Sequence, residues 1–113
     1  MDLDHIQVQP RLTLFSGRGS DKHSFGKGVA DLLCGVRQSG SLNAAAKQIM
    51  MSYSKAWRIV NEAEEAMGCK LIDRDGARGS ALTAEGARLL DAYLALDEFL
   101  SKAAQAKFEE LMR

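Results

Sequence analysis

Near the start of the chain, over residues 6–14, apolar and polar side chains alternate. This period of two predicts a strand over residues 5–15. Pro10 lies inside the run and has no N–H to donate, so we expect the strand at the edge of a sheet or at a bend. Residues 17–24 are rich in glycine, serine and charged side chains, a composition that predicts a loop. The alternating apolar residues are Ile6, Val8, Leu12 and Leu14.

From about residue 25 the apolar residues recur every three or four positions, which is the period of an amphipathic helix. Three successive helices are predicted. Gly40 and Gly68 end the first and the third, because glycine readily adopts the left-handed backbone of a helix C-terminus. Ser41 and Ser52 begin the second and the third, since a serine hydroxyl accepts from an unpaired helix N–H. The apolar positions are Val29, Leu32, Leu33 and Val36, then Leu42, Ala45, Ala46 and Ile49, then Ala56, Ile59, Val60, Ala63 and Met67.

A hairpin and a long helix are predicted after the third helix. Two short extended segments, 70–74 and 80–82, lie on either side of an Asp-Gly step, which is typical of a tight hairpin turn. Thr83 then begins a fourth helix that continues to about residue 112.

This order of elements predicts the fold class: mainly α with a small β component, arranged as a winged helix-turn-helix with a long C-terminal dimerisation helix. A chain of 113 residues is long enough for one domain with one hydrophobic core. We therefore expect a single domain over residues 1–113. Its parts are the N-terminal strand (5–15), the winged helix-turn-helix (25–83) and the long helix (84–112).

The connection between the second and third helices carries the functional prediction. Only Met50 and Met51 separate them, and such spacing is typical of a helix-turn-helix, whose second helix enters the major groove of DNA. The exposed N-terminal half of the third helix carries hydroxyls and cations that suit phosphates and base edges. Its far end is acidic and should point away from DNA. The predicted DNA-binding residues are Ser41, Ser52, Tyr53, Ser54, Lys55 and Arg58, with Arg74 and Arg78 on the wing.

Structural roles are also open to several of these side chains. Ser52 caps its helix whether or not DNA is bound. Lys55 and Arg58 suit an ordinary solvated helix face, although the helix-turn-helix context favours a DNA contact. Trp57, the single tryptophan, has inward-facing neighbours and is expected mainly in the core.

The long helix carries more apolar surface than its own domain needs. One stripe recurs with spacing of four, three, four and three residues, which is the 3.5-residue period of coiled coils and indicates a partner helix. A helix buried broadly within a monomer is the alternative, but the small domain offers little surface to cover it. We therefore predict a homodimer. The predicted interface residues are Leu89, Tyr93, Leu96, Leu100 and Ala103.

Charge and composition narrow the classes of function. The net charge is zero, but residues 1–58 carry +4 and the remainder −4, so one face can meet phosphates. No apolar run is long enough to cross a bilayer and no signal peptide precedes the domain, so we expect a cytoplasmic protein with no membrane partner. The cysteines, Cys34 and Cys69, are expected as buried free thiols. The residues contain no metal-binding or catalytic constellation, which predicts no cofactor and no enzymatic activity.

At the helix-turn-helix the sequence resembles a known family. Residues 39–47 and 51–57 resemble the N-terminal domain of the molybdate-dependent transcriptional regulators, the ModE family, and their Gly-Ser-x-x-x-Ala-Ala pattern is also similar to LysR-type regulators. The Ser-Tyr-x-x-Ala-Trp segment and residues 81–86 favour the former. The resemblance covers about residues 25–100. It implies a repressor that binds double-stranded DNA as a homodimer.

The sequence also departs from the ModE pattern. That family usually has glycine where Met50 stands, so either the backbone here avoids positive φ or methionine tolerates it at some cost. The wing is shorter and has fewer glycines. Members of the family continue into molybdate-binding modules, whereas this chain ends after the fourth helix. We therefore expect a stand-alone domain that does not sense molybdate itself, with a separate oxyanion-sensing partner protein as one possibility.

Two functions follow from these observations. The leading hypothesis is a sequence-specific transcriptional regulator that binds an inverted-repeat operator as a homodimer. The alternative is a winged-helix module for protein–protein interaction without direct DNA readout, which the neutral net charge favours. Salt-dependent binding to duplex DNA distinguishes the two.

Overall fold

In a computed structural model of the protein, residues 3–17, 23–74 and 79–113 are described. Three helices, a short hairpin and a long final helix follow one another in the predicted order, so the winged helix-turn-helix fold is confirmed. The elements are β1 (Leu14–Phe15), β2 (Ser24–Phe25), α1 (Lys27–Ser39), α2 (Leu42–Gln48), α3 (Tyr53–Met67), β3 (Ile72–Arg74), β4 (Ser80–Leu82) and α4 (Ala84–Leu111).

The core lies between α1, α2, α3, the base of the β3–β4 hairpin and the first half of α4. Helices α1 and α2 approach closely because small residues face each other. A Cβ added at Gly35 would lie only 2.5 Å from the Cβ of Ala45. The predicted apolar faces of the three helices supply most of the core. Its largest fully buried side chains are Phe25, Leu32, Leu33, Leu42, Leu71 and Leu90.

The helix boundaries follow the predicted capping residues. The hydroxyl oxygen of Ser41 accepts from the N–H of Ala44 at 3.1 Å, and that of Ser52 accepts from the N–H of Lys55 at 3.2 Å. Gly40 and Gly68 both have φ of +75°, the left-handed conformation in which a side chain is strained.

The hairpin is fastened to α3 by the buried carboxylate of Glu64. Its Oε2 accepts from the N–H of Leu71 at 2.8 Å and from the N–H of Ile72 at 3.3 Å. Strand β3 pairs antiparallel with β4, and the hydroxyl of Thr83 donates to the carbonyl of Lys70 at 2.6 Å. Two backbone groups and one carboxylate therefore set where the hairpin leaves the core.

The prediction of a strand over residues 5–15 is wrong in extent. Only Leu14–Phe15 forms a strand, paired with Ser24–Phe25, while residues 3–6 form a turn and residues 7–13 join no sheet. The reason is that this segment packs on α4 instead. The amide of Gln105 accepts from the N–H of Val8 at 2.7 Å and donates to the carbonyl of Ile6 at 3.1 Å.

Tyr93 does not lie on an exposed seam, which corrects its prediction as a dimer-interface residue. Its side chain is 4% exposed and packs against the ring of Phe25, with ring centroids 5.4 Å apart. The phenol donates to the carbonyl of Leu12 at 2.9 Å, and burial raises the pKa of Tyr93. Leu89 also packs partly against the core of its own chain. This side of α4 is therefore used within the protomer.

Some predictions fall on residues outside the described ranges. They concern most of the loop predicted at 17–24, the turn of the hairpin, and Arg78.

We expect Glu64→Ala to lower the free energy of unfolding by about 2–3 kcal/mol, because it leaves two N–H groups near the core without their charged acceptor. Denaturant-induced unfolding measures this loss. Glu65→Ala is the matched control. Its side chain is 74% exposed, and we expect a change within about 0.5 kcal/mol. Equal losses in the two variants would contradict the anchoring role of Glu64.

Candidate nucleic-acid interface

The turn between α2 and α3 is built around a methionine in a left-handed conformation. Met50 has φ of +57° and its residue is 95% exposed. The N–H of Met51 donates to the carbonyl of Ala46 at 2.9 Å, which closes the turn. The sequence left open whether the backbone at this position avoids positive φ or whether methionine tolerates it. The structure has positive φ with the methionine side chain present. For a residue other than glycine this conformation costs roughly 1–2 kcal/mol.

The predicted reading face of α3 is exposed on its first two turns. Ser54, Lys55 and Arg58 lie on the solvent side of the helix, away from the buried Ala56 and Val60. The Nη1 of Arg58 lies 3.4 Å from Oε1 of Glu62, one turn further along. That ion pair is exposed and therefore weak, so a phosphate can compete for the guanidinium. This face combines hydroxyl and cationic groups at the positive end of the helix dipole.

A second stripe of α3 faces the hairpin. Tyr53, Trp57, Asn61 and Glu64 follow one another at spacings of four, four and three residues, so they share one side of the helix. The rings of Tyr53 and Trp57 meet nearly edge to face at 86°, with centroids 6.0 Å apart. Trp57 is partly buried against the core, in agreement with its prediction.

Arg74 reaches from the end of β3 onto this stripe. The carbon at the centre of its guanidinium lies 3.4 Å from the centroid of the Trp57 ring, and its Nη2 donates to Oδ1 of Asn61 at 2.9 Å. Arg74 was predicted from the sequence to contact DNA, and no role was predicted for Asn61. The i, i+4 spacing of Trp57 and Asn61 was the available signal, but it did not show which hairpin residue would reach them.

The carboxylates at the acidic end of α3 point in two directions. Glu64 turns inward to the hairpin, whereas Glu62 and Glu65 lie beside His23. The Oε2 of Glu62 lies 3.9 Å from His23 Nδ1, and that of Glu65 lies 3.6 Å from His23 Nε2. The carboxylates are therefore gathered away from the first turn of the helix.

The structure groups the predicted DNA-binding residues into two neighbouring sets. Ser52, Ser54, Lys55 and Arg58 lie along the start of α3, and Tyr53 and Arg74 surround Trp57. Ser41 stands apart, since it caps the start of α2.

The described residues were also examined for a metal site, a reactive thiol and a membrane-spanning helix. Within 3–17, 23–74 and 79–113, no group of three or more His, Cys, Asp or Glu side chains is placed to hold a metal. Burial, followed by the nearby charges of Glu85 and Glu64, raises the pKa of the Cys69 thiol, which disfavours the thiolate that metals bind. No helix in the described part of the chain is long and apolar enough to cross a membrane.

Comparison with known proteins places this arrangement among bacterial regulators. The family model described as bacterial regulatory helix-turn-helix protein, lysR family, matches residues 31–87, a range that contains α2, α3 and the hairpin strands. Among curated proteins, none matches this chain.

The solved structures that share the fold include two of the regulator CbnR. In the crystal structure of the CbnR DNA-binding domain in complex with DNA, the matching protein is 25% identical with a TM-score of 0.62, and the match covers 74% of this chain and 94% of that chain. CbnR itself, a LysR family transcriptional regulator, is 26% identical with a TM-score of 0.58. That match covers 69% of this chain and 27% of CbnR, so the similarity spans about a quarter of the regulator.

Proposed function

Because the chain belongs to the LysR family of bacterial regulatory helix-turn-helix proteins, we propose that it is a transcriptional regulator that reads duplex DNA in a sequence-specific way. The observation that carries the proposal is the exposed start of α3. There Ser54, Lys55 and Arg58 stand together on the second helix of the helix-turn-helix. Helices in this position enter the major groove in other proteins of this architecture.

The proposed mechanism is binding without covalent chemistry. The N-terminal turn of α3 carries the positive end of the helix dipole, and Ser52 already satisfies the N–H of Lys55. Lys55 and Arg58 supply charge-assisted contacts to phosphates or to guanine edges. Phosphate contacts release counterions, so the affinity should fall steeply as salt is raised.

We expect Lys55→Met and Arg58→Met each to flatten the slope of log K against log salt by about 0.9 if the side chain meets a phosphate. If the side chain instead contacts a base, its removal should weaken the free energy of binding by about 1–3 kcal/mol and relax the sequence preference at one position. Fluorescence anisotropy of a labelled duplex across a salt series measures both. Lys102→Met is the matched control, since it removes the same charge from the distal half of α4.

Lys102→Met should leave binding unchanged. If the folded Lys55 and Arg58 variants also bound like the wild type, α3 would lose its role as the reader. A wild type with no salt-dependent affinity for duplex DNA would favour the protein-interaction module instead.

We further propose a homodimer formed through an exposed stripe on α4. Five apolar side chains recur there at spacings of four, three, four and three residues, all exposed, with Phe99 at 67% and Leu96 at 41%. This stripe shares Leu96 and Ala103 with the predicted one but excludes Tyr93. Half-buried Leu100 lies at its edge. The stripe consists of Ala92, Leu96, Phe99, Ala103 and Ala106.

Two features of α4 support a second copy as the occupant of this stripe. Its 3.5-residue period keeps the stripe on one side along several turns, as a continuous helix-to-helix seam requires. The other side of the helix is engaged by the N-terminal segment through Tyr93 and Gln105. A two-fold seam would present two α3 helices symmetrically, so the operator should be an inverted repeat.

We expect Leu96→Asp to raise the dimer dissociation constant by about a hundredfold or more, because each buried large apolar side chain contributes roughly 1.5–3 kcal/mol and the seam contains two copies. Sedimentation equilibrium measures the change. Leu94→Asp is the matched control. Leu94 is 39% exposed, like Leu96, but points to the other side of α4. A wild type that stays monomeric at tens of micromolar would contradict the dimer.

The resemblance to molybdate-dependent regulators supports a finer proposal. We propose that the protein acts as a repressor. Only the resemblance of residues 39–47 and 51–57 to those regulators supports this proposal, because the family model that matches the chain is that of the lysR family.

A further inference from the structure

The hairpin contacts α3 at two places that are separated along the helix. At the base, the Glu64 carboxylate accepts from the N–H groups of Leu71 and Ile72. At the other end of β3, the Arg74 side chain lies across Trp57 and donates to Asn61. The first contact lies where the hairpin begins, and the second lies at the far end of β3.

The geometry of Arg74 uses both parts of its guanidinium. The flat face is occupied by the indole, 3.4 Å from the ring centroid, and one edge nitrogen is occupied by the Asn61 oxygen at 2.9 Å. A bidentate contact with phosphate or guanine needs the forked edge of the guanidinium directed at DNA. In the free protein that edge is partly taken by α3.

We propose that Arg74 is a positioning residue that locks the wing to the recognition helix, so that the two meet DNA as one rigid surface. This inference rests on the proposed DNA-binding function and revises the role that the sequence suggested for Arg74. Trp57 is the platform for the lock, and Asn61 sets its orientation.

Loss of a positioning residue should lower the affinity for duplex DNA without changing how that affinity depends on salt. If Arg74 orients the wing, its loss leaves the base of the hairpin held by Glu64. Among the described residues, the far end of β3 is then held only through its pairing with β4, where the N–H of Ser80 donates to the carbonyl of Gly40 at 2.8 Å. Binding then has to order that end again, so affinity falls. The number of phosphates neutralised stays the same, so the salt slope does not change.

The stack itself can be tested without DNA, because Trp57 is the single tryptophan of the chain. In Arg74→Met the guanidinium no longer covers the indole, so we expect quenching of the Trp57 emission by neutral acrylamide to increase. Asn61→Ala should give a smaller increase, because it removes only the hydrogen bond that orients the guanidinium. Unchanged quenching in Arg74→Met would overturn the lock.

Duplex binding across a salt series then distinguishes the two roles of Arg74. We expect Arg74→Met to bind about fivefold more weakly than the wild type with an unchanged slope. Asn61→Ala, which removes no charge and lies on the surface, should reproduce part of the loss. A double variant of both residues should be no weaker than Arg74→Met alone, because the two act as one unit.

The proposal would be overturned if the slope of log K against log salt fell by about 0.9 in Arg74→Met while Asn61→Ala bound duplex DNA like the wild type. That result would identify Arg74 as a phosphate contact. Lys55→Met serves as the reference for such a loss of slope. Absence of any duplex binding by the wild type would overturn the proposed function. That failure is separable, because the quenching experiment still reports on the stack.

Discussion

The buried Glu64 carboxylate joins the two parts of the protein that the proposed DNA interface requires. It sits on the same side of α3 as Trp57 and Asn61 and accepts two N–H groups at the start of β3. A carboxylate placed near a core is costly unless it is well paired, so this position specifies one geometry for the hairpin. The Arg74 stack and the pairing of β3 with β4 both follow from where the strand begins.

Local patterns predicted the helices well because their causes are local. Ser41, Ser52, Gly40 and Gly68 mark helix ends through contacts within a few residues, and the structure confirms them. The alternation near the N-terminus correctly indicated which side chains face inward, since Ile6, Val8, Leu12 and Leu14 are half-buried between exposed neighbours, although the strand itself is limited to Leu14–Phe15. What covers that face was not predictable, because Gln105 lies about a hundred residues away in sequence. The stack of Arg74 on Trp57 depends in the same way on the path of the hairpin.

In the long helix α4 the sequence correctly indicated the spacing of the apolar residues but not which of them are exposed to a partner. Leu89, Tyr93, Leu96 and Leu100 follow the heptad period, but Tyr93 is held inside the protomer by Phe25 and Leu12. The exposed stripe has the same period and shares Leu96 and Ala103 with the predicted one, but it includes Phe99 instead of Tyr93. Sequence alone gives the spacing of such stripes, whereas the tertiary fold determines which of them is buried within the domain.

Selection of bound sequences from a pool of random DNA duplexes tests the central claim most directly. We expect enrichment of an inverted repeat whose half-site centres lie about 34 Å apart, or a multiple of that distance, because two α3 helices related by a two-fold axis would enter major grooves on one side of the duplex. A pool that remains unenriched after repeated rounds would contradict sequence-specific reading by this protein.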